Sequence, residues 1–339
     1  MDAGHIYGFV VDAVCVSTQS VIGYQNFAVP PCGTLIAVGN FDGVHLGHRA
    51  LIEHALAQAQ ARSLLPVAMT FDPHPAAILA ASAPTLLTTT DRKIELLLQA
   101  APQLRIIVQP FNSEFSKIEA EVFVERILLN SLKARYVLVG KNFHFGRERR
   151  GTFQLLKALA DKWGFSAEAF KLSGDTEGIF SSSRARLELI AGNLDNVAHV
   201  LGRPHAITGI VVQGEGRGRT FGFPTANLEK IPEGLPPAGI YSCIVDDATP
   251  DQLARRIGLG VMSLGPRPTV DRGFAAEVHL IDFTGDLYSK RLRVHIIHRL
   301  RDIERFANIE ALCAQISADV ALARNKLEHW LRINREPSV

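Results

Sequence analysis

Residues 39–48 read Gly39-Asn40-Phe41-Asp42-Gly43-Val44-His45-Leu46-Gly47-His48. The stretch follows an apolar, partly β-branched run at 34–38 and precedes a helix-like run at 49–62, which predicts a buried strand that turns into a helix. N–H groups and the dipole at a helix start attract anions, and the three glycines let the backbone approach one closely. The imidazoles of His45 and His48 add donors whose bonds to a phosphate oxygen strengthen as charge builds on it. The stretch therefore predicts a phosphate site.

Two other interpretations of the histidine pair are weaker. An isolated H-x-x-H pattern is more often a turn with two surface histidines, but here glycines and Asp42 surround it at a predicted strand-to-helix junction. The spacing also suits a metal, but neither a cysteine nor a carboxylate lies at ligand spacing nearby. We therefore predict phosphate rather than zinc.

Composition predicts a two-domain globular protein. The chain has 339 residues, of which 47% are hydrophobic and 21% charged. Its net charge of +2 is too small to indicate nucleic acid. The four cysteines are scattered without a C-x-x-C pair, so neither a zinc site nor a disulfide framework is indicated, and the reduced cytoplasm is favoured. We find no leader sequence and no run long enough to span a bilayer. Residues 1–32 are expected to be an N-terminal extension of unknown role.

The first half alternates strand-like and helix-like runs. Strands are predicted at 34–38, 66–71, 104–108 and 135–139, and helices at 49–62, 91–100 and 121–131. This rhythm is typical of α/β domains in which helices cover a parallel sheet and ligands bind at the carboxyl ends of the strands.

The second half shifts to alternating strand segments after a boundary near residues 190–204. Strands are predicted at 207–212, 239–245, 257–264, 275–283 and 292–297, followed by an amphipathic helix at 309–333. Consecutive strands of this kind indicate a small antiparallel barrel, on which the helix packs. The glycines at 214, 216 and 218 do not fit a dinucleotide fingerprint, because Gly222 and Pro224 prevent the helix that it needs. They instead predict a flexible loop that wraps polyphosphate.

Polar and aromatic side chains follow several predicted strands. Asp72 and His74 lie between prolines, and a rigid turn is as good an interpretation of that segment as a substrate loop. Asn142 and Phe143 follow a buried strand, where an amide and a ring suit a flat heteroaromatic, although core packing is the alternative for the ring. The serines at 181–183 are favoured caps and predict a second helix start with phosphate donors.

The motifs as a set resemble those of the bacterial bifunctional riboflavin kinase/FMN adenylyltransferases, or FAD synthetases. Besides residues 39–48, the shared motifs are FDPHP at 71–75, VGKNFHFGRERRG at 139–151, SSSRAR at 181–186, GRGRTFGFPTANL at 216–228, GPRPT at 265–269 and EVHLIDF at 277–283. The resemblance covers residues 33–330. It implies a Rossmann-like nucleotidyltransferase domain at 33–190, a linker at 191–204 and a flavokinase-type antiparallel barrel with a long final helix at 205–335.

The resemblance also implies chemistry. The C-terminal domain would phosphorylate riboflavin to FMN with ATP, and the N-terminal domain would adenylylate FMN to FAD with release of pyrophosphate. Mg²⁺ is expected with ATP, and FMN and FAD are expected as substrate and product. The implied partners are ATP, riboflavin and FMN, without nucleic acid or membrane, and the protein would be a cytoplasmic monomer or small homo-oligomer.

Site residues carry over from the matching motifs. The catalytic set is His45, His48 and Glu277, the last as the base for the ribityl hydroxyl. The nucleotide set is Gly39, Phe41, Asp42, Gly43, Gly47, Ser182, Ser183, Arg186, Gly214, Gly218 and Arg219. The flavin set is Asp72, His74, Asn142, Phe143, Arg267 and Arg301. Thr225 and Asn227, with hydroxyl and amide oxygens, are the implied Mg²⁺ residues.

Two alternatives stay open at this point. Ser263 and Pro266 depart from the A-N-I-G-T-R that is common in the family, so the barrel could bind flavin without kinase turnover. A different acceptor in the first domain, such as phosphopantetheine or choline phosphate, is the second alternative. The flavokinase-like second half argues against it.

Overall fold

The computed structural model describes residues 19–80, 83–171, 173–214, 216–250, 254–266 and 274–334. These residues form two compact units. The first contains residues up to 84 together with 90–181, and the second contains residues 85–89 and those from 182 onward. Within the described ranges, no helix is long and apolar enough to cross a membrane.

A six-stranded parallel sheet forms the centre of the first unit. Its strands are β1 (Ser20–Ile22), β2 (Thr34–Val38), β3 (Leu65–Asp72), β4 (Arg105–Pro110), β5 (Ala134–Gly140) and β6 (Ser166–Phe170). They lie in the order β1-β4-β3-β2-β5-β6, and every neighbouring pair is parallel. The predicted parallel sheet is confirmed, and the four predicted strands are β2 to β5. β1 comes from the segment to which the sequence assigned no role, and its Ser20 pairs with Ile106.

Helices cover both faces of this sheet. They are α1 (Leu46–Ala61), α2 (Ala76–Leu79), α3 (Thr90–Ala100), α4 (Ala120–Val122), which continues as a π-helix (Phe123–Ser131), and α5 (Phe153–Trp163). One face buries Ile52 of α1 and Leu97 of α3, and the other buries Val124 and Leu156. The strand order reverses at β2, which lies between β3 and β5. Ligands bind at such a reversal, beyond the carboxyl ends of the strands.

A polar cluster ties α1 to the edge of the sheet. His54 of α1 lies 3.0 Å from a carboxylate oxygen of Glu168 on β6, and the Tyr136 hydroxyl donates to the same carboxylate. Burial opposes ionisation of Glu168, but hydrogen bonds from Tyr136 and His54 outweigh it and hold the pKa of Glu168 below its ordinary value. Burial and the bond to Glu168 raise the pKa of Tyr136 to about 12. Beyond this edge, β7 (Gly174–Asp175) and β8 (Gly178–Ile179) form a short hairpin.

A closed antiparallel barrel forms the second unit. Its strands are β9 (Ala206–Val212), β10 (Ala226–Glu229), β11 (Gly239–Asp247), β12 (Arg255–Pro266), β13 (Phe274–Leu280) and β14 (Arg291–Arg301). The order around the barrel is β10-β13-β12-β11-β14-β9, and β9 closes it by pairing with β10. The predicted barrel is therefore confirmed. β10 was not predicted, although it carries the motif residue Asn227.

Helices flank the barrel. They are α6 (Ser182–Ala191), α7 (Leu194–Leu201), α8 (Arg217–Thr220) and α9 (Ile309–Ile333). The final helix has the predicted bounds and buries Ala323 and Leu327 against the barrel. α8 corrects the prediction that Gly222 and Pro224 prevent a helix after the glycine-rich loop. A single helical turn fits before Gly222, whose φ of 84° is outside the right-handed helical region.

Candidate active sites

The loop between β2 and α1 holds an unusual backbone. Phe41, Gly43 and Val44 have φ values of 51°, 81° and 39°. A β-branched residue rarely adopts a positive φ, and such strain persists only where the surroundings enforce it, most often at functional sites. Phe41, predicted to contact nucleotide, is buried in the core and meets the His48 ring edge-on at 5.2 Å. The loop is therefore a rigid support for the histidines that follow it.

His45 and His48 lie together at the start of α1. The Nδ1 atom of His45 accepts the backbone N–H of His48 at 3.2 Å and caps the helix, and the two rings stack with centroids 3.6 Å apart. Because Nδ1 is an acceptor, the neutral His45 ring carries its proton on Nε2, which is then a donor. A Cβ at Gly47 would lie 3.0 Å from the Phe180 carbonyl oxygen and 3.1 Å from the His45 ring. A side chain at this position would press on a backbone carbonyl and on the His45 ring, which favours glycine.

The FDPHP segment at the end of β3 contacts this loop. The side chains of Asn40 and His74 approach to 3.3 Å, and the Thr90 hydroxyl donates to Asp72 at 2.6 Å. The structure thus brings two of the predicted flavin residues, Asp72 and His74, beside the predicted phosphate loop.

Lys93 of α3 is a functional candidate that the sequence reasoning missed. Its side chain is buried, and Nζ donates to the carbonyl oxygens of Phe71 at 3.1 Å and Asn40 at 3.3 Å. Burial lowers the pKa of Lys93, while the Asp42 and Asp72 carboxylates act in the opposite direction. The helical pattern offered a signal, because Lys93 lies on the same face as the buried Leu97 four residues later.

An aromatic cavity opens beside Asn40. Its volume is about 200 Å³, and its mouth is open to solvent. The predicted flavin residues Asn142 and Phe143 line it. The cavity is also lined by phenylalanines that the sequence did not predict to be there, namely Phe71, Phe111, Phe115 and Phe123. Phe143 and Phe145 stack with ring centroids 5.6 Å apart. A flat apolar ring system is the ligand that this lining suits.

The SSSRAR motif lies in the second unit. Ser182 and Ser183 begin α6, as the sequence predicted. The Arg186 guanidinium donates through Nε to the carbonyl oxygen of Thr85 at 2.6 Å. The nucleotide role of these three motif residues stays a prediction.

Three strands of the barrel align polar side chains across their pairs. Asn227 of β10 lies directly opposite Glu277 of β13, and Glu277 lies directly opposite Ser263 of β12. Side chains at such paired positions are neighbours, with Cβ atoms roughly 4.5–5.5 Å apart. Ala276 and Val278 are buried, whereas Glu277 is half-buried, so alternation turns its carboxylate to the outer face of the barrel. Glu277 is therefore accessible to a ligand.

The glycine-rich loop lies against Asn227, at one end of this row. A Cβ at Gly214 would overlap the Asn227 amide, and one at Gly218 would overlap the carbonyl oxygen of Phe223. Both glycines therefore let the loop lie close to the segment that carries the two predicted metal residues. Hydroxyl, amide and carboxylate oxygens are the hard donors that Mg²⁺ accepts alongside nucleotide phosphates. Among the described residues, no cluster of three or more His, Cys, Asp or Glu could hold a metal by itself.

A small cavity adjoins the same loop. It is lined by Arg219 and Thr225 on one side and by the Phe283 and Tyr288 rings on another. A guanidinium, a hydroxyl and two rings in one cavity suit a nucleotide. The nucleotide role of Arg219 stays a prediction.

His279 was also missed by the sequence reasoning. Its Nδ1 lies 2.9 Å from the carbonyl oxygen of Pro224, and its ring meets Phe223 edge-on at 5.6 Å. The period of two in the EVHLIDF motif offered the signal, because it places His279 on the same face as Glu277. His279 thus fixes the turn that carries Thr225.

The two remaining flavin predictions differ in outcome. Arg267 lies outside the described residues. The Arg301 guanidinium donates to Asp319 of α9, with Nη2 at 2.7 Å, and lies over the Phe306 ring. This ion pair fastens α9 to β14, and the flavin contact of Arg301 stays a prediction. Pro266, which departs from the family motif, is the last residue of β12.

Comparisons with known proteins match both units. The FAD synthetase family model matches residues 29–184 and the riboflavin kinase family model matches residues 201–327. A bifunctional riboflavin kinase/FMN adenylyltransferase from Pseudomonas fluorescens is 35% identical over 314 residues, which are 90% of this chain and 97% of that protein. The Escherichia coli K12 protein of the same name is 35% identical over 306 residues, which are 89% of this chain and 96% of that protein.

A solved structure shares the architecture. A crystal structure from Streptococcus pneumoniae matches with a TM-score of 0.77 at 27% identity and covers 91% of this chain and 99% of that one. That protein is named a macrolide-efflux protein. The name describes the Streptococcus protein, and the two family matches give no reason to extend it to this chain.

Proposed function

The chain belongs to the family of bifunctional riboflavin kinases/FMN adenylyltransferases, and from this premise we propose which of its residues carry the two reactions. The enzyme phosphorylates riboflavin to FMN with ATP and then adenylylates FMN to FAD. The first unit carries the adenylylation and the barrel carries the phosphorylation.

In the first unit, the FMN phosphate attacks the α-phosphorus of ATP as the bond to pyrophosphate breaks. No enzyme nucleophile is needed, so positioning and charge stabilisation carry the catalysis. His45 Nε2, His48 and the N–H groups at the start of α1 hold the α-phosphate oxygens, on which charge builds. The strained backbone at Phe41 and Val44 supports this assignment because it fixes the histidines in advance.

The aromatic cavity binds the isoalloxazine ring of FMN. Its lining of phenylalanines offers stacking surface, and the Asn142 amide offers a donor and an acceptor for the ring edge. Asn40 belongs both to the phosphate loop and to the cavity wall, so a bound flavin would extend its phosphate towards His45. Asp72 and His74, on the neighbouring loop, contact the linking chain. Ser182, Ser183 and Arg186 are assigned to the nucleotide on their motif alone.

In the barrel, Glu277 takes the proton of the terminal ribityl hydroxyl as that oxygen attacks the γ-phosphorus of ATP and ADP leaves. Thr225 and Asn227 hold Mg²⁺, which when bound neutralises charge on the phosphates. The loop at 214–218, with Arg219, wraps the polyphosphate through its N–H groups. Ser263 lies opposite Glu277, where the family often has asparagine. The match of residues 201–327 to the riboflavin kinase family model favours kinase turnover over flavin binding alone.

Further properties belong to the proposal. Mg²⁺ is required with ATP at both sites. The protein acts in the cytoplasm as a monomer or small homo-oligomer and does not bind nucleic acid, in keeping with its net charge of +2 and its scattered cysteines.

The observation that carries this proposal is the cross-strand pair of Glu277 and Asn227 beside the glycine-rich loop. The test incubates the purified protein with riboflavin, ATP and Mg²⁺ and separates the flavins by chromatography. FMN should appear first and FAD after it, and EDTA should stop both. If FAD forms from added FMN but not from riboflavin, the barrel lacks kinase activity.

A further inference from the structure

One buried cation joins the two substrate loops of the first unit. Lys93 lies on α3, outside every motif that identified the family, and only 6% of it is exposed. Its ammonium group donates to the Phe71 carbonyl at 3.1 Å, at the start of the FDPHP segment, and to the Asn40 carbonyl at 3.3 Å, in the phosphate loop. A charged group buried at this depth is costly unless it is well paired, and these two carbonyl oxygens supply part of that pairing.

Other contacts also join the phosphate loop to β3 and to the FDPHP segment. The Thr70 hydroxyl also donates to the Asn40 carbonyl, at 2.9 Å, and the Asn40 and His74 side chains meet at 3.3 Å. Carboxylates of both loops, Asp42 and Asp72, lie within electrostatic reach of Lys93. The ammonium group is thus the charged centre of a cluster to which each loop contributes a carbonyl and a carboxylate.

We propose that Lys93 is a positioning residue that couples ATP binding to FMN binding in adenylyl transfer. The inference rests on the proposed function, in which the phosphate loop holds ATP and the FDPHP loop contacts FMN. When ATP orders the phosphate loop, the shared ammonium group orders the FDPHP loop. FMN has the same effect on the phosphate loop, because coupling between two ligands is reciprocal. ATP should therefore lower the KM for FMN.

The test measures FAD formation from FMN over a matrix of FMN and ATP concentrations. Lys93→Met keeps the length of the side chain and removes its donors and charge. We expect kcat/KM to fall about 10- to 100-fold, the effect of losing a charged hydrogen-bond donor, and the KM for FMN to become independent of ATP. Lys93→Arg keeps a buried cation with donors and should recover most of the lost activity.

Two controls separate positioning from general damage. Leu96→Ala removes a buried side chain from the same helix without touching a donor, and it should lower thermal stability while the KM for FMN still depends on ATP. Riboflavin phosphorylation, measured on each preparation, should be unchanged in every variant and reports that the barrel is folded, while thermal unfolding reports on the first unit.

The outcomes are distinct. Activity of Lys93→Met within threefold of the parent, equal losses in Lys93→Met and Lys93→Arg, or loss of the ATP dependence in Leu96→Ala would each overturn the proposal. A parent protein that makes no FAD from FMN would refute the proposed function instead, whatever the variants do.

Discussion

Replacing Glu277 with glutamine should abolish the kinase reaction and leave the fold and the second reaction intact. The substitution keeps the size of the side chain and removes its capacity to accept a proton. Glu277 is half-buried on the outer face of the barrel, opposite Asn227 and Ser263, so the amide can occupy the same space. A change of this kind away from the core alters the free energy of unfolding by about 0.5 kcal/mol or less.

The expected loss of activity is much larger. A positioned general base contributes about 10²- to 10⁴-fold to a rate, and at 1.36 kcal/mol for each factor of ten this is about 3 to 5 kcal/mol of transition-state stabilisation. The row formed with Asn227 places the carboxylate beside the predicted metal residue, where the attacking hydroxyl must lie. The loss should therefore appear in kcat for FMN formation, with little change in the KM for ATP.

The assay follows FMN from riboflavin, and FAD from added FMN, on the same preparation. Glu277→Gln should make FAD at the parent rate and FMN at least a hundredfold more slowly. FMN formation within tenfold of the parent would refute the role of Glu277 as a base. Loss of both activities in a folded protein would refute the division of labour between the units.

Three further expectations concern other parts of the molecule. His45→Ala combined with His48→Ala should leave riboflavin phosphorylation intact and reduce FAD formation by about a thousandfold, with FMN accumulating on chromatograms, because two donors to the α-phosphate are lost. His279→Leu should raise the KM for ATP in the kinase reaction about tenfold by releasing the Pro224 carbonyl, and His279→Asn, which keeps a donor near Nδ1, should restore it. Glu168 has a pKa below its ordinary value, so its stabilising contribution is present at neutral pH and is lost as pH falls through the folded-state pKa. Between pH 7 and pH 3, the free energy of unfolding measured with denaturant should therefore fall less for Glu168→Gln than for the parent protein. The difference should be about 1 kcal/mol or less, because the pair is partly exposed. Equal falls in the two proteins would contradict this.

The long apolar strands were predictable from sequence because burial on both faces leaves a continuous hydrophobic run. β2 to β5 and the final helix lie where the pattern placed them. β1 and β10 have three and four residues, too few to show a period, and pairing with β4 and with two barrel strands defines them. β6 was hidden because Glu168, in its centre, breaks the apolar run.

The site divides in the same way. Glycines and histidines in fixed order predicted a phosphate loop, since each residue type there meets a local requirement of the backbone. Lys93 and Phe111 gain their roles only when separate loops meet, which a local pattern does not encode. The ion pair of Arg301 is also absent from any local pattern, because its partner Asp319 lies 18 positions later in the chain.

Mixing two variants, each deficient in a different one of the two reactions, tests most directly whether separate sites act in succession on one flavin. Glu277→Gln alone should make no FAD from riboflavin for want of FMN, and the His45→Ala/His48→Ala protein alone should stop at FMN. An equimolar mixture should make FAD from riboflavin, because FMN released by one protein is the substrate of the other. A mixture that makes no FAD, while each variant retains its remaining single activity, would contradict the account.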